Sequence, residues 1–166
     1  MKQIKWHTTT AQAKGERVPK KRYVFSHSAR SGHYHADAYA VRCFDNRFWK
    51  SFKRFIKARK LKHIDAASPA GGAKIFASPE KRQDLDYFLR EIEKSVLLHK
   101  TKRVMLFTHT DCGAYGGIKR FEKDETKEFA FHVGEHKKAI LVIKKKFPKL
   151  KVESYFIDWS GVVRTS

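Results

Sequence analysis

Two cysteines and one histidine have the chemistry of a metal site in this chain. His109 and Cys112 stand three residues apart, where the apolar stretch RVMLFT ends and a glycine-rich turn begins. The other cysteine of the chain is Cys43. Thiolate sulphur and imidazole nitrogen are ligands that zinc prefers, and three protein ligands leave one position of a tetrahedral ion open, as in catalytic zinc sites. The residue types therefore predict a catalytic zinc centre.

The segment after Cys43 contains two charged residues that could assist such an ion. Asp45 follows Cys43 by two positions and Arg47 follows Asp45 by two, so all three side chains point to one side if the segment is extended. An arginine can hold a carboxylate in a bidentate pair and keep it ionised. Asp45 could then accept a hydrogen bond from a zinc-bound hydroxide. Released from Arg47, it could instead become the fourth ligand and close the site.

Strands and helices alternate along the part of the chain that carries these residues. Apolar runs predict strands in the segments ADAYAVRCFD, KHIDAAS, RVMLFTHT and KVESYFIDWSG. Apolar residues at helical spacing predict helices in RFWKSFKRFIKARK, in SPEKRQDLDYFLREIEKSVLLHK with Ser78 as the N-cap, and over about 131–147. This alternation predicts an α/β fold with a mainly parallel sheet of four to five strands flanked by helices.

Such a sheet would bring the separated ligands together. Ligands of open parallel sheets bind outside the carboxyl ends of the strands, and Cys43 and His109 both stand at predicted carboxyl ends, so we expect them on the same rim. Asp111, beside Cys112, could support the metal ligands, but a turn or capping role is the favoured expectation. Tyr115 could line either a pocket or a subunit interface. Four histidines show no partner pattern and are expected on helix or strand surfaces: His63, His99, His132 and His136.

Two motifs in this order are similar to those of a known enzyme family. Cys-x-Asp-x-Arg over 43–47, followed by His-x-x-Cys-Gly over 109–113, resembles the metal motifs of the β-class carbonic anhydrases, and the SPAGGAKIF segment between them resembles that family's alanine-glycine loop. The resemblance covers roughly residues 36–163. It implies a β-carbonic-anhydrase-like fold and a zinc lyase that interconverts carbon dioxide and bicarbonate through a zinc-bound hydroxide.

The resemblance also implies roles for individual residues and an assembly. It assigns Zn²⁺ binding to Cys43, His109 and Cys112. It assigns the catalytic pair to Asp45 and Arg47, and it implies that Gly71 lends its backbone to the substrate pocket. Members of the family are dimers or larger, with sites near a subunit interface, so a homodimer or higher homo-oligomer is expected. Because thiolates donate more charge than imidazoles, the activity is expected to favour alkaline pH.

The chain departs from the family pattern around the expected pocket. Asn46 stands where the family has a serine, and Ser68 and Pro69 stand where an Arg-Asn pair precedes the alanine-glycine loop. These changes affect the expected substrate pocket and leave the metal ligands intact. They keep open an alternative function, a related zinc hydrolase that acts on carbon disulfide or carbonyl sulfide.

The charge of the chain supports a further alternative. The net charge is +20 and is concentrated in residues 1–30, 42–62 and 137–151. A non-catalytic, zinc-stabilised module could bind a polyanion through such a surface. A structural zinc site would not need the Asp45–Arg47 pair, however, and no known aromatic-and-basic motif accompanies the charge, which makes nucleic acid an unfavoured partner.

The remaining composition indicates one domain in a reducing compartment. A length of 166 residues suits a single core, and we expect a basic arm and polar loop over 1–35, followed by a zinc-binding α/β domain over 36–166. His27, His33 and His35 fall in that loop, where solvated histidines are expected. There is no apolar run of membrane-spanning length and no signal-peptide pattern. The protein is therefore expected to be cytoplasmic, where a disulfide between Cys43 and Cys112 is not expected.

Overall fold

Five strands form one sheet in the computed structural model, which describes residues 21–29 and 31–166. The strands are β1 (Ala38–Val41), β2 (Ile64–Ala67), β3 (Arg103–His109), β4 (Lys151–Ile157) and β5 (Val162–Arg164). Their order is β2-β1-β3-β4-β5, and all neighbours are parallel except the antiparallel pair β4 and β5. The α/β class and the mainly parallel sheet are therefore confirmed.

Within the described residues, four α-helices connect and cover the strands. They are α1 (Trp49–Ala58), α2 (Lys74–Ala77), α3 (Arg82–His99) and α4 (Glu125–Lys146). Helix α1 follows β1, α2 and α3 lie between β2 and β3, and α4 lies between β3 and β4. Helices therefore occupy both faces of the sheet, as parallel strand connections require.

The central strand β3 shows how the sequence builds two cores. Every residue from Val104 to His109 is buried, and successive side chains of a strand point to opposite faces. Val104 and Leu106 pack with residues of α3 and α4 on one face, whereas Met105 and Phe107 pack with residues of α1 on the other. The continuous apolar run RVMLFT is thus the signature of a strand that is covered on both faces.

Helix α1 attaches to the sheet through its predicted apolar stripe. Phe52 is buried, and its ring lies edge-on to Phe107 at a centroid distance of 5.1 Å. Phe55 contacts the rings of Phe107 and Tyr155. The lysines of the helix lie on its exposed side. This packing fixes the position of α1, whose first residue, Trp49, follows closely after Cys43.

Two predicted helix starts were wrong. Ser78 is not an N-cap, because it ends α2 and its hydroxyl donates to Glu135; α3 begins at Arg82 instead. Helix α4 begins six residues before the predicted position, because the Asp124 carboxylate accepts hydrogen bonds from the backbone N–H groups of Thr126 and Lys127. A side-chain acceptor at that position satisfies N–H groups that have no partner within the helix.

The expectation of surface histidines was wrong for two residues. His132 and His136 face the sheet from α4 and are buried. His136 is hydrogen-bonded to the hydroxyls of Thr108 and Thr165. His63 is exposed as expected, and His99 pairs with Asp65 at 2.8 Å.

Most of the predicted basic arm over 1–35 lies outside the described residues. Residues 21–29 contain no helix or strand, and His27, His33 and His35 are exposed. Residues 33–166 form one compact unit. Within the described part of the chain, no helix combines the length and apolarity needed to cross a membrane.

Candidate metal centre

The sheet topology brings the three expected ligands to one rim. Strands β1 and β3 are parallel neighbours. Cys43 comes two residues after the end of β1, and His109 is the last residue of β3. Cys112 lies in the turn that follows. All three residues are buried, and one potential ligand atom from each lies within 4.8 Å of the others. The predicted grouping of these side chains is therefore present in the fold.

The imidazole of His109 is oriented toward this cluster by its backbone neighbour. Its Nδ1 lies 2.8 Å from the carbonyl oxygen of Thr110 and donates a hydrogen bond to it. That bond leaves Nε2 as the atom with a free lone pair, and Nε2 is buried without a hydrogen-bond partner among the described residues. A buried acceptor without a partner is costly. A metal ion between Nε2 and two thiols would satisfy it, so the cluster fits a metal site.

The two thiols differ in their surroundings. The backbone N–H of Gly71 donates to Cys43 Sγ at 3.3 Å. The thiol of Cys112 and the backbone N–H groups of Gly71 and Asp45 lower the pKa of Cys43, against the opposing effect of burial. The neighbouring Cys43 sulphur and burial raise the pKa of Cys112. The two thiols therefore share one proton more easily than they lose both, and a nearby cation such as a metal ion would be needed to hold both as thiolates.

A glycine pair lets the loop after β2 approach the cluster. Gly72 has a φ of +57°, and a Cβ atom there would lie 2.1 Å from the carbonyl oxygen of Phe107 and 2.9 Å from the backbone nitrogen of Cys43. No residue with a side chain fits between the two strand ends. Gly71, with a φ of +73°, then presents its N–H to the Cys43 sulphur. The glycines are thus required by close backbone packing beside a ligand.

Asp45 and Arg47 form the expected pair, although their segment is not extended as predicted. Asn46–Phe48 is a 3₁₀ turn, and Asp45 caps it by accepting the Arg47 backbone N–H at 2.9 Å. The Arg47 side chain folds back, with Nη2 at 2.7 Å from Oδ2 and Nε at 3.1 Å from both carboxylate oxygens. The segment forms a 3₁₀ turn because the Asp45 side chain can accept a backbone N–H two residues further on. Asp45 and Arg47 still form the expected ion pair in this conformation.

The pair lies between the buried ligands and solvent. Asp45 Oδ2 is 3.9 Å from Nε2 of His109, and 20% of the Asp45 side chain is exposed, against 45% for Arg47. The Arg47 guanidinium, followed by the Arg47 backbone N–H, holds the pKa of the Asp45 carboxyl below its usual range against the opposing effect of burial. An ionised carboxylate is therefore held next to the expected ligand atom of His109.

Asp111 is a site residue that the sequence interpretation ranked too low. Its Oδ1 accepts the backbone N–H of Ile118 at 3.1 Å, which confirms the expected turn role. Its Oδ2 also accepts a hydrogen bond from Arg47 Nη1 at 2.9 Å, and its carbonyl oxygen accepts one from Arg47 Nη2 at 3.0 Å. Arg47 therefore bridges two carboxylates, one from each motif.

The turn over residues 110–112, which we call the metal turn, is held in place by Glu128, a residue that the sequence interpretation missed. Glu128 lies on α4 and accepts hydrogen bonds from the Thr110 hydroxyl and the Asp111 backbone N–H. One signal was available: Glu128 shares a helical face with the core residues Ala139 and Ile143. A carboxylate on such a face needs partners within the core.

Tyr115 packs on the inner side of the cluster. It is buried with Cys43 and Cys112, and its ring lies edge-on to Phe131 and His132 at centroid distances of 5.5 and 4.8 Å. The sequence left open whether Tyr115 lines a pocket or lies at a subunit interface. In the single chain, its side chain is buried by packing. The thiols are therefore walled off from water on this side.

Comparisons with known proteins agree with this geometry. A family model described as "Putative carbonic anhydrase" matches residues 34–165. An uncharacterised protein of Rickettsia conorii is 40% identical over 68 residues, which cover 40% of this chain and 37% of that protein. One from Rickettsia bellii is 37% identical over 68 residues, covering 40% and 42%. The chain thus spans about two fifths of the length of the curated relatives that it matches.

Solved structures establish the fold. The carbonic anhydrase of Glaciozyma antarctica superposes with a TM-score of 0.54 and 18% identity, covering 81% of this chain and 84% of that one. The β-carbonic anhydrase isoform I of Trichomonas vaginalis superposes with a TM-score of 0.55 and 12% identity, covering 84% of this chain and 87% of that one. A structure from the tetrameric β-carbonic anhydrases of Sordaria macrospora superposes with a TM-score of 0.54 and 16% identity, covering 79% of this chain and 81% of that one. Together with the family model, these findings show that the chain belongs to the carbonic anhydrase family, as a divergent member with the β-class fold.

Proposed function

We propose that this chain is a zinc-dependent carbonic anhydrase, a lyase that interconverts carbon dioxide and bicarbonate. Cys43, His109 and Cys112 would bind Zn²⁺. The observation that carries the proposal is the buried His109 Nε2, which has no hydrogen-bond partner among the described residues although it faces two thiols. The donor set of two sulphurs and one imidazole nitrogen suits zinc, and three protein ligands leave a position for the reacting water.

The neighbouring residues suit the proposed reaction. When bound, zinc would supply a Lewis acid that lowers the pKa of a coordinated water from 15.7 to ~7. Hydration adds the oxygen of that water to the carbon of carbon dioxide and releases one proton. Asp45, kept ionised by Arg47, can accept a hydrogen bond from the water through Oδ2 and so direct an oxygen lone pair toward the substrate. Paired with Arg47, that carboxylate would be kept from becoming a fourth ligand of the metal.

Gly71 belongs to the proposed substrate pocket through its lack of a side chain. Its N–H already donates to Cys43 Sγ, and its carbonyl accepts a hydrogen bond from the backbone N–H of Lys74. A Cβ at this position would lie 2.9 Å from Lys74 Cβ and 3.2 Å from Ala114 Cβ. The role that we assign to Gly71 is therefore to leave room beside the thiolate, rather than to bind substrate through its backbone.

We also propose that the chain works as a homodimer or larger homo-oligomer in the cytoplasm. Strand β2 is an edge strand, and its backbone groups on the outer side have no strand neighbour among the described residues. Exposed edges of this kind are normally covered. Two free cysteines in the candidate site suit a reducing compartment. Light scattering at micromolar concentration should show a multiple of 19.4 kDa, and a single 19.4 kDa species would contradict the assembly.

The function is tested by stopped-flow measurement of carbon dioxide hydration with zinc-replete and zinc-free protein. We expect hydration that rises in proportion to the zinc content and is faster at alkaline pH. Parallel assays with carbonyl sulfide and carbon disulfide separate the related hydrolase from the proposed activity. Zinc-dependent turnover of either sulfur compound without hydration of carbon dioxide would contradict the proposal.

A further inference from the structure

We infer that Glu128 is a positioning residue for the metal turn, acting through Thr110 and Asp111. The inference rests on the proposed metal site. The Glu128 side chain is 1% exposed. Its Oε2 accepts a hydrogen bond from the Thr110 hydroxyl at 2.5 Å, and its Oε1 accepts one from the Asp111 backbone N–H at 2.8 Å. Both carboxylate oxygens are therefore used on two consecutive residues of the turn.

The fold has to hold Glu128 in this place at some cost. Asp124 caps α4 and fixes the start of the helix, so that Glu128 lies one turn further along and faces the end of β3. A buried carboxylate is strongly destabilising when it is unpaired. Burial is tolerated here because two hydrogen bonds satisfy the oxygens. Removing them would expose the turn to water or leave its donors without partners.

The Thr110 contact controls the orientation of a metal ligand. Three groups of Thr110 are hydrogen-bonded. The Thr110 hydroxyl donates to Glu128, and the Thr110 backbone N–H donates to the Ile157 carbonyl at 2.9 Å. The Thr110 carbonyl accepts a hydrogen bond from His109 Nδ1. A fixed Thr110 carbonyl keeps the proton on Nδ1 and leaves Nε2 facing the thiols. Contacts of this type behind a metal-ligating histidine typically change metal affinity 10–100-fold when they are removed.

The Asp111 contact controls the catalytic pair. Asp111 has a φ of +52°, a left-handed conformation that is uncommon for a residue with a side chain. The hydrogen bond from its N–H to Glu128 stabilises this conformation, which turns the chain toward Cys112. It also directs the Asp111 carbonyl and carboxylate, the two groups that hold Arg47. One buried carboxylate thus fixes the backbone from which both the ligand and the arginine are positioned.

A second buried glutamate of α4 provides a matched control. Glu135 is 2% exposed and accepts hydrogen bonds from the Ser78 hydroxyl at 2.5 Å and from Lys138 Nζ at 2.9 Å. Its carboxylate has no hydrogen bond to Thr110 or Asp111 among the described residues, although it lies near the Tyr115 hydroxyl. Loss of either carboxylate should reduce stability, but only loss of Glu128 should alter the metal site.

The test is a competition titration of Zn²⁺ and Co²⁺ against a chelator, with the visible absorption spectrum of the Co²⁺ form, for Glu128→Gln and Glu135→Gln. We expect Glu128→Gln to bind both ions 10–100-fold more weakly and to change the Co²⁺ spectrum. Glu135→Gln should keep the affinity and spectrum of the wild-type protein. Wild-type affinity and spectrum in Glu128→Gln, or an equal loss in Glu135→Gln, would overturn the inference.

Thr110→Val keeps the test decisive if Glu128→Gln does not fold. It removes only the hydroxyl that donates to Glu128, and it should weaken both ions in the same direction; unchanged binding would overturn the inference. Wild-type protein that binds neither ion removes the proposed site and this inference with it. Wild-type protein that binds zinc but does not hydrate carbon dioxide contradicts the proposed reaction alone, and the affinity comparison still decides the role of Glu128.

Discussion

Arg47 and Asp111 lie 64 positions apart in the chain and are joined by two hydrogen bonds, from Nη1 to Oδ2 at 2.9 Å and from Nη2 to the carbonyl oxygen at 3.0 Å. The same guanidinium holds Asp45. These contacts connect the segment after β1 with the turn after β3, the two parts of the chain that contain the candidate ligands. Arg47 is therefore both the partner of Asp45 and a tie between the two motifs.

Replacement of Arg47 by alanine should abolish most of the hydration activity while leaving zinc bound. Without the guanidinium, Asp45 is free to turn toward the metal and close the open position. The expected loss of rate is on the order of a hundredfold or more, measured by stopped flow from pH 7 to 9 with zinc content checked by elemental analysis. Arg54→Ala, on the exposed side of α1, is the control and should retain the wild-type rate. An unchanged rate in Arg47→Ala would mean that Asp45 is only the cap of its 3₁₀ turn.

Replacement of Cys112 by serine should remove most of the metal. A hydroxyl is a poor substitute for a thiolate at a zinc site, and metal binding contributes to the folding free energy. We therefore expect a zinc content well below one ion per chain and a lower melting temperature. Elemental analysis after dialysis gives the answer directly. A full complement of zinc in the variant would remove Cys112 from the ligand set.

Gly72 and Gly134 should respond oppositely to the same substitution. In Gly72→Ala the added methyl group would lie 2.1 Å from the Phe107 carbonyl oxygen, and the backbone has a positive φ. Strain of that kind typically costs 1–3 kcal/mol. Gly134 lies within α4, where a methyl group would meet open space, so Gly134→Ala should stabilise the helix by roughly 0.5–1 kcal/mol. Urea unfolding measures both changes, and equal stability of the two variants would contradict the close packing at Gly72.

Buried histidines should make the protein sensitive to acid. Burial lowers the pKa of His132 from 6.5 to about 3 and that of His136 from 6.5 to about 4. Between these values and 6.5 the unfolded chain binds protons that the folded chain does not. The free energy of unfolding should therefore fall as the pH is lowered, by up to about 1.4 kcal/mol per pH unit for each histidine.

His132→Leu isolates one of these contributions. Neither ring nitrogen of His132 has a hydrogen-bond partner among the described residues, so leucine should be tolerated among the surrounding aromatic rings. We expect a smaller loss of stability between pH 7 and pH 5 than in the wild-type protein, measured by urea unfolding at both values. Any effect of acid on the metal ligands is common to both proteins and cancels in the comparison. Identical pH dependence would show that His132 does not contribute.

The sequence was sufficient for the fold class and for the grouping of the ligands. Strand β3 was recognisable because both of its faces are apolar, and the carboxyl ends of parallel strands necessarily share one rim. Cys43 and His109 could therefore be placed together although they lie far apart in the chain. Chemical type and topology were enough for this step, without any knowledge of side-chain geometry.

The supporting contacts were not predictable because they depend on competition between local and distant partners. Ser78 had the composition of a helix N-cap, but its hydroxyl binds Glu135 on another helix. The segment after Cys43 could have been extended, but it forms a 3₁₀ turn in which the Asp45 carboxylate accepts the backbone N–H of Arg47. Glu128 and His132 are polar residues on the helical face of α4 that carries Ala139 and Ile143, and their contacts with the sheet and the turn were evident only from the packed structure.

The most direct test of the central proposal is the rate of carbon dioxide hydration by zinc-replete wild-type protein at alkaline pH, measured by stopped flow beside the Cys112→Ser variant. The zinc site with its Asp45–Arg47 pair predicts hydration well above the buffer rate in the wild-type protein, and loss of that activity together with the metal in the variant. A wild-type protein that contains one zinc ion per chain and hydrates carbon dioxide no faster than buffer would contradict it.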